Sequence, residues 1–227
     1  MVPDFKECYN LSDNLDESRF ASDEEVCGFR STSLEVIDTM RLVSDRILIA
    51  VGYGLKLADP RGLLETSVKT GTKGNATTLR YAYYPQVSLQ QRQEGYLRCA
   101  EHTDFGLITL LLDNGVTGLQ ILKRDGDYMM VPRQPGALVV NIADSLERLT
   151  GGILRSAPHR VVISDENAKE DRYSVIYGRA TDPGVYLDPL CGAKERYEEK
   201  LKTEEFIERR FKDIFYGGAG IVKLTNN

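Results

Sequence analysis

The sequence predicts a mainly β protein, an antiparallel sandwich or barrel flanked by α-helices. Three observations lead there. Between Leu79 and Arg179, short runs rich in β-branched and aromatic residues alternate with Gly, Pro, Asn or Asp, the texture of several short strands. Clear helical periodicity stands before and after this stretch, with one short helical run inside it. The chain has 227 residues, of which 41% are hydrophobic, enough to build a core and to exclude a wholly disordered chain.

Residues 1–30 carry eight acidic and three basic side chains, so the net charge of −5 resides there. This stretch reads as an acidic, partly disordered arm. Residues 31–78 follow as a helical flank and loop. Thr32 and Glu35 have the spacing of a capping box, placing the helix start near Thr32. Leu34, Ile37, Met40, Val43, Ile47, Leu48 and Val51 then form one apolar stripe, which Gly52 and Gly54 end. KTGTKGNATT reads as a loop.

Residues 79–182 form the strand-rich core: TLRYAYYP, GYLRCAEH, GLITLLLD, GLQILKR, DYMMVP, GALVVNI, SAPHRVVIS and RYSVIYGRA. DSLERLT interrupts them as a short helix with Asp144 as its N-cap. Residues 183–227 form a helical C-terminal segment starting near Thr203, with Phe206, Ile207, Phe211, Ile214 and Phe215 on its apolar face and Gly217-Gly218 stopping it.

Composition narrows the function. A pI near 5.3 argues against a general nucleic-acid binder. No apolar run approaches membrane-spanning length, and MVPDFKECYN lacks the regions of a signal peptide. Cysteines at 8, 27, 99 and 191 never form a CxxC pair, a usage that fits reduced thiols and a cytoplasmic location.

Only two histidines exist. His102 and Asp104 lie two residues apart at a strand end, so both side chains can aim at one point. His159 lies on another strand-like run. Two imidazoles and one carboxylate make the facial triad of non-haem Fe(II) oxygenases, which leaves the opposite face of the metal open. Alone, H-x-D is a weak signal, and an isolated histidine is more often an ordinary core or surface residue. Thirteen residues after His159 come Arg172 and Ser174, one face of one strand. An arginine fork beside a hydroxyl can hold a carboxylate bidentately; the plainer reading is a surface ion pair with Asp171 or Glu170. Tyr84 could donate a further hydrogen bond, or be a core aromatic.

The order YYP, HTDFGLITLLL, GLQI, PGALVVNIAD, HRVV and RYSVIYG resembles the isopenicillin N synthase-like branch of the Fe(II)/2-oxoglutarate dioxygenases, from about Leu79 to Tyr216. The resemblance implies a double-stranded β-helix, or jelly roll, with iron at its mouth. It implies that His102, Asp104 and His159 are the metal ligands, and that Arg172, Ser174 and Tyr84 hold 2-oxoglutarate. An Asn that many members carry two residues before that tyrosine is Ala82 here. Gly178 stands where related enzymes often place an aromatic against the substrate, and Phe105 and Tyr177 are candidate wall residues beside it. Arg160 reads as a structural ion pair, Cys99 as a small buried hydrophobe, and Arg209, Arg210 and Lys212 as a solvated helix face.

The implied activity is oxidation of a small organic molecule (hydroxylation, desaturation or ring closure) using Fe(II), 2-oxoglutarate and O2, with release of succinate and CO2. Two alternatives stand beside it: an isopenicillin N synthase-like oxidase that does not use 2-oxoglutarate, and a non-catalytic metal-binding jelly roll. The resemblance also implies that most of the family's N-terminal region is missing. That would leave a barrel edge uncovered for self-association.

Overall fold

The computed structural model describes residues 4–12, 20–72, 74–88, 90–91 and 96–215. The acidic run 13–19, the Gly217-Gly218 stop, Tyr216 and the side chains of Ile214 and Phe215 lie outside the described residues.

All eight expected strands form. They are β2 (Thr78–Tyr84), β3 (Cys99–His102), β4 (Ile108–Asp113), β5 (Leu119–Leu122), β6 (Tyr128–Met130), β7 (Val139–Ile142), β8 (His159–Val161) and β9 (Arg172–Arg179). A ninth strand, β1 (Glu7–Ser12), precedes them. One sheet has the order β1-β2-β9-β4-β7 and the other β3-β8-β5-β6, and every pairing is antiparallel. This is the two-sheet jelly-roll arrangement.

β1 corrects the reading of residues 1–30. Glu7 to Ser12 pair with Tyr83 to Thr78, so β2 is an inner strand and β1 takes its place at the edge of the sheet. Leu11 is buried in the main core. Just before β1, the Phe5 N–H donates to Leu97 O, and Asp4 Oδ1 accepts from the Ala100 N–H. Residues 4–12 thereby join the edges of the two sheets. Their composition hid this, because a strand draws its backbone partners from another segment and needs few apolar residues of its own.

Helix α1 (Phe29–Gly54) begins earlier than expected. Gly28 at φ 72° is its N-cap and no side chain caps it, so Thr32 and Glu35 lie inside the helix rather than forming a capping box. Its buried face is Ser33, Ile37, Met40, Ser44, Leu48 and Gly52. This face lies against Leu79, Ile108, Leu110 and Tyr177 on the outer side of the larger sheet. Burying an Ile or Leu this fully stabilises by about 1.5–3 kcal/mol. The two serines are there for partners: Ser33 Oγ meets Tyr81 Oη at 2.8 Å, and Ser44 Oγ accepts from Arg179. Gly52 is required by proximity, since a Cβ there would sit 2.0 Å from Pro60 O.

A short helix, α2 (Gly62–Glu65), follows. The short α3 (Asp144–Leu149) starts after Ala143, so Asp144 is its first residue and not its N-cap. The carboxylate of Asp144 is engaged elsewhere, by the Thr103 hydroxyl. The chain's last described helix, α4 (Thr203–Phe215), starts where the sequence places it. Between the sheets, Ala82, Tyr84, Cys99, Leu119 and Val161 form a second, smaller core.

Candidate metal centre

The larger core fixes one sheet against α1; the smaller holds the other sheet opposite it. β3 and β8 belong to that second sheet, and their register sets His102 directly across from His159. The imidazole centroids are 4.2 Å apart. Asp104, just beyond β3, turns back so that its Oδ1 lies 3.9 Å from the Nε2 of each histidine. These distances are too long for hydrogen bonds. Ligand atoms of all three residues nevertheless lie within 4.8 Å of one another.

The tautomers follow from the backbone. His102 Nδ1 lies 2.9 Å from Ala100 O and His159 Nδ1 lies 3.2 Å from Ala157 O. A carbonyl only accepts, so each Nδ1 carries a proton, and in the neutral imidazole each Nε2 then keeps its lone pair for the cluster. Burial, reinforced by the neighbouring His102, pushes His159 below the ordinary imidazole range and favours the neutral form that coordinates. Two neutral nitrogens and one carboxylate on one side of a point fit a divalent iron and leave its far side free.

A residue that the sequence reading missed steadies this arrangement. Asn141, on β7, donates to Asp104 Oδ2 at 2.7 Å. A lone amide inside the apolar run VVNI was the available signal. α4 contributes as well, which corrects the reading of Arg210 as part of a solvated face. Its Nη2 donates to Thr103 Oγ1 at 2.7 Å, and its Nε lies 3.0 Å from Asp144 Oδ2. Thr103 sits between His102 and Asp104 in the chain, and its hydroxyl also donates to Asp144 at 3.0 Å. Arg209, one residue earlier, does point outward and pairs with Glu199.

Arg172, Ser174 and Tyr84 come together on the facing sheet. Register sets Tyr84 against Arg172 and Ala82 against Ser174. Arg172 is fully buried, which removes the surface ion-pair reading with Asp171 or Glu170. Its Nη1 donates to Ser174 Oγ, its Nε to Val116 O at 3.2 Å, and its Nη2 to Asp113 Oδ2 at 3.2 Å. The guanidinium carbon lies 5.2 Å from the Tyr84 ring centre. Burial raises the Tyr84 hydroxyl above its usual range, so it stays protonated as a donor. Asp113 was not anticipated, because its neighbour in space is 59 residues away in sequence.

The three candidate wall residues separate. Gly178 faces the barrel interior, and a Cβ there would meet nothing within 4 Å. Phe105 packs edge-on against Phe211 of α4, with ring centres 5.4 Å apart. Tyr177 is completely buried in the core beneath α1, on the opposite face of β9, and cannot line the interior. Arg160 makes no ion pair among the described residues; it donates to Gln120 Oε1 and stacks on Tyr128. Cys99 is buried as expected, but Lys6 Nζ donates to its Sγ at 3.1 Å.

Comparison with known proteins agrees with this geometry. The model of the 2OG-Fe(II) oxygenase superfamily matches residues 75–180. The chain is 31% identical over 225 residues to the 2-oxoglutarate-dependent dioxygenase gloF of Glarea lozoyensis, covering 92% of this chain and 66% of the relative. It is 30% identical to the proline hydroxylase buaE of Petromyces alliaceus, covering 90% and 65%. A full-length Neurospora crassa protein, crystallised in complex with alpha-KG, superposes with a TM-score of 0.81 at 25% identity, covering 93% of this chain and 67% of that one. The chain thus spans about two thirds of the length of these proteins.

Proposed function

This chain belongs to the 2OG-Fe(II) oxygenase superfamily, and from that premise we propose that it is an Fe(II)- and 2-oxoglutarate-dependent dioxygenase acting on a small organic molecule. We assign it to the isopenicillin N synthase-like branch on the order of its motifs. The observation that carries the reading is the convergence of His102 Nε2, His159 Nε2 and the Asp104 carboxylate on one point. These residues would hold Fe(II). The bound metal would supply the oxidative chemistry that couples decarboxylation of the keto acid to substrate oxidation.

The protein's own part is to bind and to orient. Arg172 and Ser174 would anchor the distal carboxylate of 2-oxoglutarate, with Tyr84 donating beside them. Arg172 has N–H groups beyond those that meet Val116, Ser174 and Asp113. Asn141 and Thr103 would keep Asp104 aimed at the metal. Gly178 would leave space for the substrate. The free cysteines suit a reducing, cytoplasmic setting.

The Asp113–Arg172 ion pair favours one second reading. A guanidinium that already faces a carboxylate has less need of another, as in an oxidase that does not use 2-oxoglutarate. Anaerobic titration with Fe(II) and then 2-oxoglutarate separates the readings. The proposed function requires a visible metal-to-ligand charge-transfer band that grows with 2-oxoglutarate and is lost in Arg172→Lys. Iron binding with no such band would support the second reading, and absence of iron binding would defeat both.

A further inference from the structure

Above the Arg172 cluster, the inner face of the barrel carries another arginine. Along β2 and β9 the inward pairs run Tyr84 with Arg172, Ala82 with Ser174, Arg80 with Ile176, and Thr78 with Gly178. Ala82 and Tyr84 lie in the inter-sheet core, and Arg80 shares their face of the strand. The direction of this ladder is from burial to access. Tyr84 and Arg172 are buried, Arg80 is exposed, and Gly178 has open space in front of its Cα.

Arg80 is held but not neutralised. Its Nε donates to Asn10 Oδ1 at 2.7 Å, across the β1–β2 pair. Its two Nη atoms have no partner among the described residues. Two neighbouring cations differ: Lys6 pairs with Asp4 at 2.7 Å, and Arg172 with Asp113. An amide that fixes Nε and leaves the fork free pre-orients the guanidinium without occupying it. The charge lies on the inward face of β2, the face of Ala82 and Tyr84.

We propose that Arg80, oriented by Asn10, binds a carboxylate of the substrate, which makes the substrate class a small organic acid. This rests on the dioxygenase reading given above. Four residues of strand, about 13 Å, separate Arg80 from Tyr84, so this carboxylate site is distinct from the one at Arg172. The planar fork selects a carboxylate because two parallel N–H groups match its two oxygens. Gly178, one inward pair beyond, leaves open space for the body of the molecule.

The test uses protein loaded anaerobically with Fe(II) and saturating 2-oxoglutarate. The probes are a fixed set of small aliphatic, aromatic and amino acids, each matched with its primary amide. Equilibrium binding is expected to favour the best acid over its amide by about ten- to a hundredfold, the range of a charged hydrogen-bonded pair. Arg80→Gln should remove that preference while leaving 2-oxoglutarate affinity unchanged. Arg80→Lys should restore part of it, and Asn10→Ala should weaken it by a smaller factor with the charge intact. Acids and amides that bind alike or not at all, or an acid preference that survives Arg80→Gln, would overturn the proposal. Its failure is distinguishable from failure of the functional reading, which would already appear as absent 2-oxoglutarate binding before any acid is added.

Discussion

The trio His102, Asp104 and His159 and the Arg172 cluster stand on opposite sides of one barrel and are built by opposite means. His102, Asp104 and His159 are partly exposed, make no hydrogen bonds to one another, and lean on backbone carbonyls and on Asn141. Arg172 has no exposed surface, and each of its three nitrogens has a protein partner. The trio is therefore open to a ligand, whereas the Arg172 guanidinium is part of the core. A site can thus combine a replaceable half with a half whose loss endangers the fold.

The largest expected effect tests the second half. Arg172→Ala leaves Asp113 without its cation and Ser174 and Val116 without their donor. Breaking a buried pair in this way costs about 3–5 kcal/mol, so chemical denaturation should show a clearly lowered midpoint. A stability equal to the parent's would show that the anchor is not structural. Next, His159→Ala and Asp104→Ala should each abolish tight Fe(II) binding, a loss larger than the roughly 10- to 100-fold typical of an outer partner. Without metal, each should lower the unfolding free energy by less than Arg172→Ala does. Tight iron binding by either variant would end the triad assignment.

Smaller effects sharpen the contrast. Asn141→Ala frees Asp104 Oδ2 and should weaken metal affinity by about 10- to 100-fold, measured by competition with a chelator. Arg210→Ala should weaken it less, because Arg210 acts on Thr103 and Asp144 and not on a ligand, and its pair is partly screened by solvent. Arg209→Ala, on the same helix but paired outward with Glu199, should leave metal affinity unchanged. Equal losses in both arginine variants would mean that helix charge, rather than the Thr103 contact, is responsible.

The sequence by itself determined much of this protein. Strand texture located all eight core strands, because alternation and turn residues act over a few neighbours. The grouping of His102, Asp104 and His159 was indicated by the order of motifs that resembles the dioxygenases, since H-x-D spacing alone is a weak signal. The conversion of an acidic N-terminal stretch into β1 was not legible, since its partner β2 lies some seventy residues away. Nor were Asp113 against Arg172, Asn141 behind Asp104, Arg210 against Thr103, or Arg80 held by Asn10. Tyr177 shows the limit most plainly: it stands beside Gly178 in sequence, yet the two face opposite sides of β9, one under α1 and one into the barrel. Local pattern sets which segments are strands and which residue types are present. Register, and the choice of which face α1 covers, then decide which side chains meet, because those depend on hydrogen bonds and apolar contacts between segments distant in the chain.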